Sequence, residues 1–119
     1  MRLRRPEDFR RVRTGGRSWA HPLFILWRLP NGGAVTRIGI AASRRVGNAV
    51  ERNRARRLLR EAMRHLYHQV TVGWDIVLVA RSTLLKTDER EVEVALSTVL
   101  ERAGLLTVND ASSCQASGV

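Results

Sequence analysis

The sequence predicts an α+β fold, in which helices pack on one mainly antiparallel β-sheet. Three observations predict it: stretches with apolar residues at helical spacing, stretches with strand-like alternation, and the order helix, strands, helix, strand, helix along 119 residues. A chain of this length with 44% apolar residues can bury one modest core. We therefore expect one domain over residues 1–106 and a polar, disordered tail over residues 107–119.

The chain begins with a short predicted helix. Pro6 suits the first helical turn, because its missing N–H would have no partner there. Phe9 and Val12 supply its apolar side, and Gly15 and Gly16 end it.

Strands follow this helix. Residues 23–29 alternate like a strand, and the PNGG turn at residues 30–33 separates them from a second strand at residues 35–43. We expect these two strands to form a hairpin. Residues 17–20 are a candidate for one more short strand.

The second half is predicted to contain two helices around one buried strand. Asn48 and Glu51 have the spacing of a capping box, Thr87 is the expected cap of the last helix, and Gly104 ends that helix. Residues 74–80 form a dense apolar run that is typical of a central strand. The expected core stripes of the two helices are Ala55, Leu58, Leu59, Ala62, Met63 and Leu66, then Val92, Ala95, Leu96, Val99 and Ala103.

The charge is strongly positive and unevenly placed. The net charge is +10; residues 1–64 hold 17 arginines and four acidic residues, whereas residues 65–119 hold four basic and seven acidic residues. Such a charge on a small domain indicates a polyanionic partner, and nucleic acid is the first choice. The first half should therefore build the binding surface.

The predicted helix after Asn48 concentrates this charge on one side. On a helical wheel its apolar stripe lies opposite a broad arc of polar residues, with Arg52 at the border. Only Glu51 and Glu61 relieve the repulsion within this helix, so a polyanion is expected to bind there. The arc consists of Asn53, Arg54, Arg56, Arg57, Arg60 and Arg64.

The segment that carries this helix resembles a known family. The run SRRVGNAVERNRARRLLRE at residues 43–61, centred on Arg52-Asn53-Arg54, resembles the signature of the protein component of bacterial ribonuclease P. Phe9 in EDFRRV, the strand in RIGIAASRRVGN, and the segments GWDIVLVAR and LERAGLL also resemble that family. The resemblance covers roughly residues 1–106.

The resemblance implies a specific form of the fold. It implies three helices packed on a four-stranded, mainly antiparallel sheet in the order αβββαβα, with a left-handed crossover through the basic helix. General rules for such crossovers favour the right hand, so the left hand comes from the resemblance alone.

The resemblance also implies the function of a protein subunit in a ribonucleoprotein endonuclease. This enzyme hydrolyses precursor tRNA to remove the 5′ leader and to leave a 5′-phosphate, with the active site in the RNA subunit. The protein would broaden the substrate range and raise substrate affinity. Its implied contacts with the catalytic RNA are Arg52, Asn53, Arg54, Arg56, Arg57 and Arg60. Its implied contacts with the leader of precursor tRNA, in a cleft between the first helix and the sheet, are Phe9, Arg13, Phe24, Leu26, Arg28, Ser43, Arg44 and Arg45.

One residue departs from the family pattern. The position four residues after Phe9 is often aromatic in the family, and here it is Arg13. Single strands bind surfaces that combine aromatic rings with cations, so this cleft is expected to be more electrostatic.

No catalytic residue or metal ligand is expected from the protein itself. His65 and His68 lie one turn apart with Asp75 further on, but histidines are favoured at helix C-termini for electrostatic reasons, and His21 stands alone. No cofactor or small-molecule substrate is expected, and magnesium should be held by RNA in the holoenzyme. Cys114 is the only cysteine, so four-cysteine zinc motifs are excluded.

The expected location is the cytoplasm. The N-terminus lacks the apolar segment of a secretory signal, and no apolar run has the roughly 20 residues that span a bilayer. No membrane partner is therefore expected.

Two other functions fit parts of the sequence. A structural RNA-binding protein, such as a ribosomal protein, would share the size and the charge but would not account for the long motif together with Phe9. A DNA-binding module would use the basic helix, but no second helix precedes it at the short distance that a helix-turn-helix requires.

Overall fold

The sheet and its three helices are seen in a computed structural model, which describes residues 2–3 and 5–106. Short 3₁₀ turns follow α2 and β4. The elements are α1 (Pro6–Gly15), β1 (Arg17–Ala20), β2 (Phe24–Pro30), β3 (Arg37–Ala41), α2 (Ala49–Leu66), β4 (Trp74–Ala80) and α3 (Glu89–Arg102). The predicted tail at residues 107–119, with Cys114, lies outside the described residues.

The strand order is β1-β2-β4-β3, with β1 and β2 antiparallel, β2 and β4 antiparallel, and β3 and β4 parallel. This confirms three helices on a mostly antiparallel four-stranded sheet. The connection from β3 through α2 to β4 is the expected crossover, and its left hand stays a prediction.

The predicted hairpin between the second and third strands is wrong. β4 lies between β2 and β3, so these two strands do not pair. The intervening loop is instead held by Asn31, whose side chain donates to the carbonyl of Val35 and accepts from the N–H of Gly33. A local turn signal marks where the chain bends but not which strand it then pairs with.

The sheet separates two apolar clusters of unequal size. The larger cluster lies beneath α2 and α3 and includes Phe24, Leu26, Ile76 and Leu78. The smaller one lies beneath α1 and includes Leu3, Val12 and Val77. Every residue of the two predicted helical core stripes is buried.

The helix caps follow the sequence closely. α2 has the predicted capping box, in which Asn48 Oδ1 accepts from the Glu51 N–H and Glu51 Oε1 accepts from the Asn48 N–H, each at 2.9 Å. The prediction of Thr87 as the cap of α3 is wrong by one residue, because Asp88 forms the same reciprocal box with Glu91. None of the helices in the described part of the chain combines the length and the apolar character that a membrane-spanning helix requires.

Candidate nucleic-acid interface

The outer face of α2 is an exposed arginine surface, which we call the arginine face. Packing of the apolar stripe against α3 and the sheet fixes its orientation, since Ala55, Leu59 and Ala62 are buried. Within the part of the chain that the structure describes, Arg54, Arg57 and Arg60 have no hydrogen-bond or ion-pair partner. These three guanidinium groups are therefore available to phosphate.

Two other members of the motif have partners inside the protein. Arg52 is half-buried, and its Nη1 donates to the Gly47 carbonyl at 2.9 Å. Arg56 donates to Asn53 Oδ1. Arg52 thus holds the turn before α2 in addition to presenting charge, and Asn53 orients Arg56.

Glycine is required at position 47. Its φ of +150° lies in a region that L side chains rarely adopt, and a Cβ there would lie 2.1 Å from Oε1 of Glu51. Any side chain at position 47 would therefore displace the Glu51 carboxylate that caps α2.

Further along α2, Arg64 is neutralised locally. Its guanidinium donates to Glu61 Oε1 at 2.7 Å, and this hydrogen bond lowers the pKa of Glu61. The unpaired positive charge of the arginine face is therefore concentrated in the middle turns of α2, from Arg54 to Arg60.

An open groove of about 750 Å³ lies between the N-terminal segment, the edge of β3 and α2. Phe9 stands at one side, with its ring against the backbone of Gly39, where a Cβ would come within 2.7 Å of the ring. The groove therefore combines an aromatic ring and an apolar floor with guanidinium groups. Its lining residues are Arg2, Leu3, Phe9, Ile38, Ile40, Arg60, Met63, Arg64 and Tyr67.

The structure places Phe9 in this groove, and its contact with a leader stays a prediction. Three of its predicted neighbours lie elsewhere. Phe24 and Leu26 are both 0% exposed in the core beneath α2 and α3, so they cannot contact a leader. Arg28 lies on that same face of the sheet and donates to the carbonyl of Ala103. Alternation along a strand predicts that these residues share one face of the sheet, but it does not predict which helices cover that face.

The remaining predicted leader contacts are exposed but do not line the groove. Arg13 is exposed on α1, and Ser43, Arg44 and Arg45 form the exposed turn before α2. Their contact with a leader stays a prediction. The groove residues that sequence reasoning missed are Arg2, Leu3, Ile38, Ile40, Met63, Arg64 and Tyr67; only Arg64, one turn beyond Arg60, had a sequence signal.

A buried ion cluster lies under α1. Asp75 is 0% exposed and accepts hydrogen bonds from Arg37 (Nε 2.9 Å, Nη2 2.8 Å), from Asn31 (2.9 Å) and from Arg11. Burial by itself would raise the pKa of Asp75, but the hydrogen bonds from Arg37, Asn31 and Arg11 outweigh it and hold the pKa below its usual value. The carboxylate is therefore ionised and serves the fold.

Three of the four side chains considered for acid–base chemistry, those of His65, Asp75 and His21, have other contacts. His65 Nδ1 lies 2.9 Å from Glu93 Oε1 at an exposed position, and Asp75 is held in its ion cluster. His21 stacks on Phe24, and burial, followed by the charge of Arg102, lowers its pKa. Among residues 2–3 and 5–106, no group of three or more His, Cys, Asp or Glu is placed to hold a metal ion.

Comparisons with known proteins agree on one family. Residues 1–104 match the family model described as Ribonuclease P. The chain is 43% identical over 105 residues to the ribonuclease P protein component of Herpetosiphon aurantiacus, covering 88% of this chain and 85% of that protein. It is also 43% identical over 110 residues to that of a Roseiflexus species, covering 92% and 90%.

Solved structures show the same fold. The RNase P protein from Staphylococcus aureus superposes with a TM-score of 0.80 at 28% identity, covering 89% of this chain and 97% of that one. The RNase P protein from Thermotoga maritima gives a TM-score of 0.77 at 31% identity, covering 86% and 96%.

Proposed function

The chain belongs to the ribonuclease P protein family, and we propose that it contributes two RNA-binding surfaces to this tRNA-processing ribonuclease complex, whose RNA subunit carries the active site. The proposal rests on one observation: the arginine face and the groove that contains Phe9 adjoin each other. Arg60 belongs both to the arginine face and to the groove that contains Phe9.

The arginine face is proposed to bind the catalytic RNA. Guanidinium groups bind phosphate through paired, charge-assisted hydrogen bonds, so they suit the clustered phosphates of a folded RNA. Arg54, Arg57 and Arg60 project from one rigid helix without internal partners. RNA binding would relieve the mutual repulsion of these charges. The affinity for RNA would fall as the salt concentration rises.

The groove is proposed to bind the single-stranded 5′ leader of precursor tRNA. An aromatic ring beside guanidinium groups is the arrangement on which unpaired bases stack while their phosphates are neutralised. Because mature tRNA lacks the leader, this contact would raise affinity for substrate over product. It would thereby broaden the range of precursors that are cleaved.

The chemistry is proposed to occur in the RNA subunit, with magnesium held by RNA and phosphates. Two features support this. The surface that meets the RNA is dominated by guanidinium groups, which repel a divalent cation, and the buried carboxylate of Asp75 is already neutralised by two arginines. The proposed location of the complex is the cytoplasm.

The test is a reconstituted cleavage assay with a bacterial ribonuclease P RNA and a precursor tRNA, at low magnesium and moderate salt. The variant carries Arg52→Ala, Arg56→Ala and Arg60→Ala. A matched control carries Arg10→Ala, Arg81→Ala and Lys86→Ala, which removes the same charge at exposed positions that line neither surface. Protein alone and RNA alone complete the set.

We expect the wild type and the control to stimulate cleavage and the first variant to lose stimulation. Phe9→Leu should weaken binding of precursor tRNA but leave binding of mature tRNA unchanged. Binding of RNA without stimulation by the wild type would favour a structural RNA-binding protein instead. Cleavage by protein alone would overturn the placement of the active site.

A further inference from the structure

Four side chains of alternating type cross one corner of the sheet, and we call them the Arg–Trp ladder: Arg17, Trp19, Arg28 and Trp74. The Arg28 guanidinium carbon lies 5.1 Å from the Trp19 ring centre and 4.4 Å from that of Trp74. The Arg17 guanidinium carbon lies 5.2 Å from the Trp19 ring centre. Each guanidinium is thus within cation–π distance of an indole.

Strand register places the ladder. Arg17 pairs with Arg28, Trp19 pairs with Leu26, and Arg28 pairs with Ile76, so all point to one face of the sheet. Trp74 precedes Ile76 by two residues and shares this face. The ladder therefore spans three neighbouring strands on the side of the sheet that carries α2.

Stabilisation of the fold accounts for only part of the ladder. Nη1 of Arg28 donates to the Ala103 carbonyl at 2.9 Å, at the end of α3. Arg17 has no hydrogen-bond or ion-pair partner among the residues described, and no carboxylate there lies within 4.0 Å of Arg28. The arginines that serve the fold elsewhere, such as Arg37, do have carboxylate partners.

The two tryptophans add unused hydrogen-bond donors. Both rings are half-buried. Neither indole N–H donates to another described residue, and neither lies buried without a partner, so both reach solvent. A surface that combines the exposed Arg17, two half-buried rings and N–H donors that reach solvent matches the bases and phosphates of unpaired RNA.

We propose that the Arg–Trp ladder is an additional RNA-binding site, on which unpaired nucleotides of the catalytic RNA subunit stack. The proposal rests on the proposed function, since it takes that RNA as the partner. Arg17 and the Trp74 ring form the ends of the ladder and offer the stacking surfaces. The solvent-facing N–H groups donate to phosphate or base oxygens.

The face of the sheet favours the catalytic RNA over the leader as the occupant. The ladder lies on the α2 side, where the arginine face is proposed to hold that RNA. Phe9 packs on Gly39, which pairs with Val77 and belongs to the opposite face. An RNA that contacts both the arginine face and the ladder would therefore lie on the α2 side of the sheet, whereas Phe9 lies on the opposite face.

The test uses the full chain with a bacterial ribonuclease P RNA and no substrate. Binding is measured for Arg17→Ala, Trp74→Leu and the matched control Arg10→Ala, which also removes one exposed guanidinium near the N-terminus. Circular dichroism and thermal unfolding check the fold; Arg17 is exposed on an edge strand, so its variant remains informative if Trp74→Leu does not fold. Separate photocrosslinking samples contain either thiouridine-substituted ribonuclease P RNA or thiouridine-substituted precursor tRNA alone, and mass spectrometry then maps the contact.

We expect Arg17→Ala and Trp74→Leu to weaken binding by about fivefold or more, the lower limit for loss of one stacked base, with Arg10→Ala close to the wild type. Crosslinks should fall on β1 and the start of β4. The ladder site would be refuted if a folded Arg17→Ala variant bound the RNA with wild-type affinity and no such crosslinks formed. Crosslinks at the ladder from precursor tRNA alone would also refute it. In either case cleavage stimulated by the wild type would leave the proposed function standing, whereas its absence would refute that function separately.

Discussion

Arginines serve opposite purposes in two regions of this molecule. On the arginine face of α2, Arg54, Arg57 and Arg60 are exposed and lack partners within the described chain. Under α1, Arg11 and Arg37 converge on the buried carboxylate of Asp75. The number of arginines alone therefore does not measure a binding surface, because some of these charges are neutralised inside the fold.

Removal of the buried carboxylate should have the largest effect on stability. Asp75→Asn leaves Arg11 and Arg37 without their counter-ion. We expect the free energy of unfolding to fall by about 3 kcal/mol. This value is near the lower limit for breaking a buried ion pair, because both arginines are partly exposed. Urea unfolding measures it. The matched control is Glu61→Gln at the exposed Arg64 pair, which should leave the free energy of unfolding nearly unchanged, because exposed ion pairs contribute little to stability. Equal losses in the two variants would erase the distinction between the regions.

Acid should weaken the same cluster. The pKa of Asp75 is lower in the folded chain than the unfolded value of about 3.9. Its contribution to stability is therefore fully present above the unfolded pKa and is lost as the pH falls through the folded pKa. The difference in free energy of unfolding between the wild type and Asp75→Asn should therefore narrow as the pH falls below the unfolded pKa of about 3.9, as followed by urea unfolding. If this difference stayed constant as the pH fell, ionisation of Asp75 would not be the source of the lost stability.

The arginine face should show the converse behaviour, with a smaller effect that concerns binding rather than stability. Arg57→Ala should weaken RNA binding by about 1 kcal/mol and reduce the slope of log affinity against log salt by about 1. The free energy of unfolding of Arg57→Ala should stay within about 0.5 kcal/mol of the wild-type value, as for other surface substitutions. Arg37→Ala is the reciprocal control, since it should lose stability and keep the slope. An unchanged slope in Arg57→Ala would remove that residue from the interface.

The sequence predicted best what depends on neighbouring residues. The capping box of Asn48 and Glu51, the apolar stripe of α2 and the bounds of β4 all depend on local spacing, and the structure confirms them. The arginine face was predicted for the same reason, since a helical wheel needs only the sequence of one helix. Phe9 was placed at a cleft by resemblance.

Features that depend on strand order could not be predicted in the same way. Phe24 and Leu26 were assigned to the cleft by the resemblance, but they lie on the face covered by α2 and α3, and the choice of helices over that face follows from the whole topology. The ion cluster joins residues 11, 31, 37 and 75, which only the folded chain brings together. Its one local signal was a carboxylate, Asp75, at the start of an otherwise apolar strand.

The position of β4 has a consequence for biosynthesis. β4 is the last strand in the chain but lies in the interior of the sheet, and every strand pairing except that of β1 with β2 includes it. A nascent chain that has left the ribosome as far as α2 therefore displays its whole arginine face before the sheet can close. Closure waits for residues 74–80, and such late, non-local pairing is a slow step in folding. Any truncation before Trp74 would yield a charged helix and a small hairpin without the strand that unites them.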